Sequence, residues 1–365
     1  MSLAGRAGRV RERLDALDAL LISDLTNIRW LTGFSGSNGW VVLAADGLTL
    51  VTDGRYGEQA SRQLAAAEVQ GEVLVGRTGE AALAHLTALI DRYPAVGFEA
   101  AYVSYQQHAA WAAAFGATLV PSTGLVEAER RVKDDDEIES MAQACRIADQ
   151  ALAEVAPLLG TGLTEAQVRN LLEIRMRELG ATGPSYDTIV APGPTNAALP
   201  HHRPTDTLIR EGHTVIIDVG ALVHGYHSDM TRTFVIGEPS PIQRELYDLV
   251  LAAQVAGVAA VAPGVRCQDL DAVCRDIIAD AGYGDWFSHG TGHGVGLLIH
   301  EEPYSNATSG ATLQVGDVVT VEPGVYREGF GGIRVEDLVV VTSDGCRVLT
   351  ASPKDSPCPP SPPTT

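Results

Sequence analysis

The chain has 365 residues, 45% of them apolar, and a formal net charge of −20. That length exceeds one hydrophobic core and argues for two domains. The charge excludes a nucleic-acid surface, which needs a basic stripe, and suits a soluble protein able to attract cations. Five cysteines (Cys145, Cys267, Cys274, Cys346, Cys358) are scattered without CxxC spacing, a usage that fits a reducing cytoplasm and gives no thiolate metal site. No apolar run reaches the roughly 20 residues of a membrane span. Arg6, Arg9, Arg11, Glu12 and Arg13 crowd the N-terminus where a signal peptide would be apolar. A cytoplasmic location is expected.

Val10, Leu14, Leu17 and Leu21 at helical spacing predict a helix over 5–20, passing into a strand at Ala19–Ser23. Trp40–Leu43 and Leu48–Thr52 form a hairpin around the turn signal Asp46-Gly47. Helices are expected over 55–68, 78–92 and 104–115, with strands near 72–75, 95–98 and 117–120. The alternation describes a small α/β domain over residues 1–126. Glu127 to Glu139 (EAERRVKDDDEIE) is charge-rich and is expected to be a solvated connection into a helix ending about Leu159. Thr164 with Gln167 fits a capping box, and Val168, Leu171, Leu172 and Met176 read as core positions of the helix that follows. A loop at 193–196 precedes His201-His202, and helices near 241–261 and 267–281 follow. The second domain is expected over 127–351, and the Pro- and Ser-rich stretch 352–365 is expected to be disordered, with Cys358 exposed.

Within 214–336, carboxylates stand at the ends of apolar runs. Val215-Ile216-Ile217 leads into Asp218, and Asp229 into Thr231–Ile236; Val318–Val321 leads into Glu322, and Glu336 into Leu338–Val341. Burying such a carboxylate is costly unless something positive meets it, and four of them suggest a metal site with more than one ion. The two pairs resemble copies, each reading as apolar strand, acid, one residue, glycine (Asp218-Val219-Gly220 and Glu322-Pro323-Gly324). This is the pattern of two antiparallel hairpins related by duplication, with the acids at a pseudo-twofold axis. Strand alternation places Arg334 and Glu336 on one face and Asp337 on the other, so Glu336 is taken as the ligand and Asp337 as an outer or surface acid.

Carboxylate oxygens with an imidazole suit Mn²⁺, Co²⁺, Zn²⁺ or Fe²⁺. Two such ions about 3.5–4 Å apart support hydrolysis of an amide or related bond. His293 lies between Gly292 and Gly294 in HGTGHGVGLLIHEEP, where the small neighbours leave room for a ligand to approach. His289, His300 and His201 are candidate donors to a carbonyl oxygen or tetrahedral intermediate. His224 and His227 sit in a turn and are expected at the surface, while His202, His213, His85 and His108 carry no signal.

IIDVGALVHGYHSDMTRTF, HGTGHGVGLLIHEEP, VEPGVY and GIRVEDLVVV, together with ALPHHRP, resemble the pita-bread metallopeptidase family, and within it the proline-specific branch of aminopeptidase P and prolidase. LTGFSGSNGW and LVTDGRYGEQA are similar to the N-terminal domain of those enzymes and of creatinase. The resemblance implies an α/β N-terminal domain and an α+β pita-bread catalytic domain with a pseudo-twofold internal repeat. It implies two divalent ions, manganese favoured over cobalt, zinc or iron. Asp218 would bind one ion through both oxygens, Asp229 and Glu336 would bridge, and His293 and Glu322 would complete the second ion's shell. Glu322 would also accept the proton of the attacking water. His201 and His300 would contact substrate or intermediate, with His289 flanking the ligand histidine, and Arg334 would orient the Glu336 region; Tyr226 matches an aromatic position of open role. The implied substrate is a peptide with proline at its second position, cleaved at the Xaa–Pro bond, and the implied assembly a homodimer. FSGSNG and TDGRY incline the reading toward aminopeptidase P, with prolidase as the alternative. Creatinase lacks the full ligand set, and a non-catalytic binding protein of this fold would be expected to lose ligands. The glycines at 290, 292, 294 and 296 miss GxGxxG and lack a following lysine, which excludes a phosphate loop.

Overall fold

A computed structural model describes residues Leu3 to Pro360. The chain divides into two compact units, one through Arg130 and one from Arg131. The first contains α1 (Arg6–Arg11), β1 (Ala19–Ile22), α2 (Leu25–Thr32), β2 (Gly39–Ala44), β3 (Gly47–Asp53), α3 (Gly57–Ala66), β4 (Glu72–Gly76), α4 (Gly79–Ile90), β5 (Ala95–Glu99), α5 (Tyr105–Ala114) and β6 (Thr118–Ser122). Its strands form one sheet in the order β4-β3-β2-β1-β5-β6. Helix α1 stops well short of the expected end, and the chain turns through Asp15 at φ 47° before β1. Helix α2 was not anticipated, although Asp24 caps it by accepting from the Thr26 amide at 2.8 Å and Gly33, at φ 73°, ends it. The β2–β3 turn falls one residue early: Gly47 pairs with Ala44, leaving Ala45 and Asp46 at its tip.

The boundary lies beyond the expected residue 126 because α6 (Glu127–Arg131) is tied to the first unit. Arg130 donates to Asn27 Oδ1 at 2.5 Å, and the Asn27 amide donates to Glu127 and to the buried Glu99. Glu99 also accepts from the main-chain amides of Ser23 and Asp24 at 2.6 and 2.7 Å. The charge-rich segment is therefore not wholly solvated. Lys133 is buried against Glu301 at 2.6 Å, and Arg131 pairs with the buried Asp317 at 2.6 Å.

The second unit is a twice-repeated pattern of two helices and a split hairpin. The first copy comprises α7 (Asp135–Val155), α8 (Glu165–Glu178), β7 (Gly183–Pro184), β8 (Ile189–Pro192), α9 (Gly193–Asn196), β9 (Thr214–Asp218), β10 (Ala221–Val223), β11 (Tyr226–His227) and β12 (Thr231–Val235). The second comprises α10 (Pro241–Ala260), α11 (Cys267–Asp280), β13 (Gly292–Gly294), β14 (Glu301–Ser305), β15 (Val318–Val321), β16 (Gly324–Arg327), β17 (Gly331–Arg334), β18 (Asp337–Thr342) and β19 (Gly345–Val348). β9 pairs antiparallel with β12 around the β10–β11 hairpin, as β15 pairs with β18 around β16–β17. Each copy has its own apolar cluster, one built from residues between Ala144 and Ile236, the other from Leu246 to Val341. Capping boxes at Asp134, Thr164 and Ser240 start α7, α8 and α10. Val168, Leu172 and Met176 are buried as expected, but Leu171 is 36% exposed on the outer face of α8.

The expected disorder from Ser352 does not describe residues 352–360. The Arg232 guanidinium donates to the Ser352 carbonyl, and the Val235 amide donates to that of Pro357 at 2.7 Å. Cys358 is exposed, as anticipated; residues 361–365 lie outside the described residues.

Candidate metal centre

Strand ends bring the four acids together. Asp218 ends β9, and Asp229 stands two residues ahead of β12; Glu322 follows β15, and Glu336 precedes β18. With His293 they line a cavity of about 360 Å³ whose walls also include Tyr186, Ile189, His201, His289, His300, Tyr304, Asn306 and Arg334. Oxygens of Asp218, Asp229 and Glu336 lie within 4.8 Å of one another. His293 Nε2 stands 3.5 Å from Asp229 and 3.4 Å from Glu322.

The electrostatics are those of a site short of positive charge. Burial pushes the Asp229 carboxyl well above its ordinary range, and the charges of Asp218 and Glu322 push it further. Glu336 is raised in the same way by burial and by Asp229, Glu322 and Asp218, and burial also raises Glu322. One guanidinium faces these four carboxylates. Arg334 donates to Asp218 Oδ2 at 2.7 Å and to Thr231 Oγ1 at 2.9 Å, and Thr231 in turn donates to Glu336 at 2.7 Å. Arg334 thus bonds to Asp218 directly and connects to Glu336 through Thr231.

The histidine has the right tautomer for a ligand. The Gly294 carbonyl can only accept, so the 3.0 Å contact from His293 Nδ1 places the proton there and leaves the Nε2 lone pair facing the acids. Burial lowers the pKa of His293, which keeps the ring neutral. An oxygen-rich set with one neutral imidazole and an uncompensated negative charge fits hard or borderline divalent ions. The side chains therefore fit the metals expected from the sequence.

Gly292 and Gly294 owe their identity to sheet packing as well as to ligand approach. A Cβ at Gly292 would meet the Thr320 carbonyl oxygen at 2.0 Å, and one at Gly294 the Glu302 oxygen at 2.4 Å. Gly220 meets the Ser228 oxygen at 2.0 Å in the first copy. Gly292→Ala is expected to destabilise the protein by about 3 kcal/mol. A melting temperature unchanged from wild type would contradict the close approach.

His300 is exposed at the cavity wall, with its ring 4.4 Å from that of His293, and His201, also exposed, lines the same cavity. Both are free to meet a ligand. His289 is tied into the wall instead, with Nδ1 at 2.8 Å from the Gly290 carbonyl and Nε2 at 2.8 Å from Tyr326 Oη, which itself accepts from Arg334. Asp337 is buried. Burial opposes its ionisation, but Arg232 and Lys354 outweigh that and hold its carboxyl below the usual range. His227 is half-buried against Ser185 Oγ at 2.8 Å, unlike the exposed His224. His202, which carried no signal, is buried on Glu165 at 2.8 Å. Tyr226 donates to Glu137 at 2.6 Å.

Tyr186 escaped the sequence reading. Its hydroxyl donates to Asp229 at 2.6 Å and also to Asp218. No acidic or histidine spacing marks it; the only clue is its place just ahead of the apolar strand β8.

Residues 139–343 match the metallopeptidase family M24, and residues 6–132 match the creatinase/prolidase N-terminal domain. The Bacillus subtilis peptidase YqhT is 41% identical over 342 residues, covering 93% of this chain and 95% of its own. The Xaa-Pro dipeptidase from Bacillus anthracis superimposes with a TM-score of 0.93 at 38% identity, over 97% of this chain and 99% of that one. An X-Pro aminopeptidase from Thermotoga maritima gives 0.87 at 35% identity, over 94% and 98%. On both the domain matches and the extent of these likenesses, the chain belongs to metallopeptidase family M24, the pita-bread enzymes, with a creatinase/prolidase domain ahead of the catalytic unit.

Proposed function

We propose that this metallopeptidase cleaves the Xaa–Pro bond at the N-terminus of peptides, using two divalent ions held by Asp218, Asp229, His293, Glu322 and Glu336. The observation that carries the reading is the buried carboxylate cluster with a correctly protonated imidazole, in a chain whose relatives include an Xaa-Pro dipeptidase and an X-Pro aminopeptidase. The chemistry that divalent ions supply in such a site is Lewis acidity toward the scissile carbonyl and a lowered pKa for water. Glu322 takes the proton of the attacking water. His300 and His201 donate hydrogen bonds to the substrate carbonyl and to the oxyanion that develops from it. His289, through Tyr326, and Arg334 hold the acids in place. Manganese is the favoured metal, ahead of cobalt, zinc and iron. A cytoplasmic homodimer is the assembly in keeping with the family, and a monomer by light scattering would refute it.

Between the two peptide lengths, one feature supports the aminopeptidase P reading over prolidase. Among the described residues lining the cavity, Arg334 is the only permanent cation, and it is already bonded to Asp218, Thr231, Tyr326 and the Pro200 carbonyl. The carboxylate of a dipeptide has no unengaged cation there to meet it. Metal-stripped enzyme reloaded with Mn²⁺, Co²⁺ or Zn²⁺ is expected to cleave Xaa-Pro-Yaa and longer peptides faster than Xaa-Pro. Preference for dipeptides would make it a prolidase, and no cleavage with any metal would remove the peptidase reading.

A further inference from the structure

The segment after β19 has no helix or strand, yet it is bound into the rear of the metal centre. The amides of Ala351 and Ser352 donate to Asp149 of α7, each at 2.8 Å. Tyr247 of α10 donates to the Lys354 carbonyl at 3.0 Å. Thr350 Oγ1 donates to Asp337 at 2.8 Å, and Lys354 Nζ reaches both Asp337 Oδ2 and, at 2.7 Å, Gln254. The other Asp337 oxygen accepts from Arg232 Nη2 at 2.8 Å, and both of these side chains are 2% exposed.

Asp337 and Arg232 each adjoin a residue of the site. Arg232 follows Thr231, whose hydroxyl donates to Glu336 Oε2, and Asp337 follows Glu336 itself. Arg232 Nη1 also donates to the main-chain carbonyls of both Thr231 and Glu336. The guanidinium therefore clamps the two strands that present the Thr231–Glu336 pair. Its counter-charge is Asp337, and Asp337 is shared with Lys354.

We propose that Lys354 is a positioning residue for the metal centre: by fixing Asp337 through its second oxygen it keeps Arg232 seated on the main chain that aims Glu336 at the ions. The segment 350–357 is then a strap whose attachment sets metal affinity. This rests on the assignment of Glu336 as a ligand. Arg232 already balances the charge of Asp337, so Lys354 acts by holding the carboxylate in place, and partners lying behind a metal ligand commonly change affinity by 10- to 100-fold.

The test is titration of Mn²⁺ into the chelator-stripped, full-length protein by calorimetry, beside the melting temperature of the stripped protein. Lys354→Met is expected to weaken Mn²⁺ binding by about 10-fold, and Lys354→Arg to restore it. Lys354→Gln keeps a hydrogen-bond donor without the charge, so it tests the same point should the methionine variant not fold, with a smaller loss expected. A lower melting temperature with unchanged Mn²⁺ affinity in these variants would overturn the proposal, leaving the strap a brace only. Wild-type protein that binds no Mn²⁺ would instead remove the ligand assignment beneath it.

Discussion

Glu322→Gln is expected to lower kcat by about 10³-fold, within the range set by losing a general base, while the protein still folds. The side chain sits at the end of β15, where its own amide donates to the Thr291 carbonyl at 2.8 Å and its Oε1 accepts from Thr320 Oγ1 at 3.0 Å. The same Thr320 oxygen accepts from the His293 amide at 3.0 Å. Glu322 and His293 are thus held by one hydroxyl on adjoining strands, 3.4 Å apart at their tips. Glutamine has nearly the same volume, and its amide oxygen can keep the Thr320 bond, so the cavity wall should not shift. What it cannot do is take a proton from water. The loss should appear in kcat more than in KM, because an interaction made only as the bond breaks leaves substrate binding alone. Assays belong at saturating metal with bound metal measured directly, since glutamine is also a poorer ligand. Turnover near wild type at full metal content would show that Glu322 is not the base.

The hairpins and their acids were legible because two periodic signals coincide there: apolar strand runs, and a repeat of the acid-x-glycine step. The duplication is real in packing as well as in order, since each copy closes its own apolar cluster. What remained hidden has a common cause. Tyr186, His202 and Lys354 act through contacts with residues far along the chain, and none has a local pattern. The Ser352–Pro360 segment shows how composition misleads: prolines remove amide donors, but here the chain is held through carbonyls, which proline retains, and through the non-proline residues Ser352 and Lys354. The charged stretch 127–139 misled similarly, because Lys133 is buried by an acid 168 residues away. Helix α2, by contrast, was readable. Asp24 and Gly33 are ordinary start and stop signals, outweighed only by the apolar runs on either side.

Asp229→Asn is expected to abolish metal-dependent turnover and yet make the metal-free protein more stable. Asp229 is 5% exposed, and in the metal-free chain its charge faces Asp218 and Glu322. Its folded pKa lies above the unfolded value of about 4, so the folded state binds the proton more tightly than the unfolded one. Stability therefore falls as pH rises from about 4 toward the folded pKa, since ionising the group costs more in the folded state. Asparagine removes that cost, and its Oδ1 can still accept from Tyr186 at the position where Asp229 does, 2.6 Å away. In chelator at pH 7 the variant should gain about 1–2 kcal/mol, or roughly 2–8 °C in melting temperature for a unit of this size. The gain should shrink as pH is lowered and vanish below about pH 3, where wild-type Asp229 is protonated in both states. Added Mn²⁺ should raise the melting temperature of wild type and leave the variant nearly unmoved, because only a ligand that binds the folded state stabilises it. An asparagine variant less stable than wild type in chelator at pH 7 would mean that the four acids do not repel one another as their burial implies.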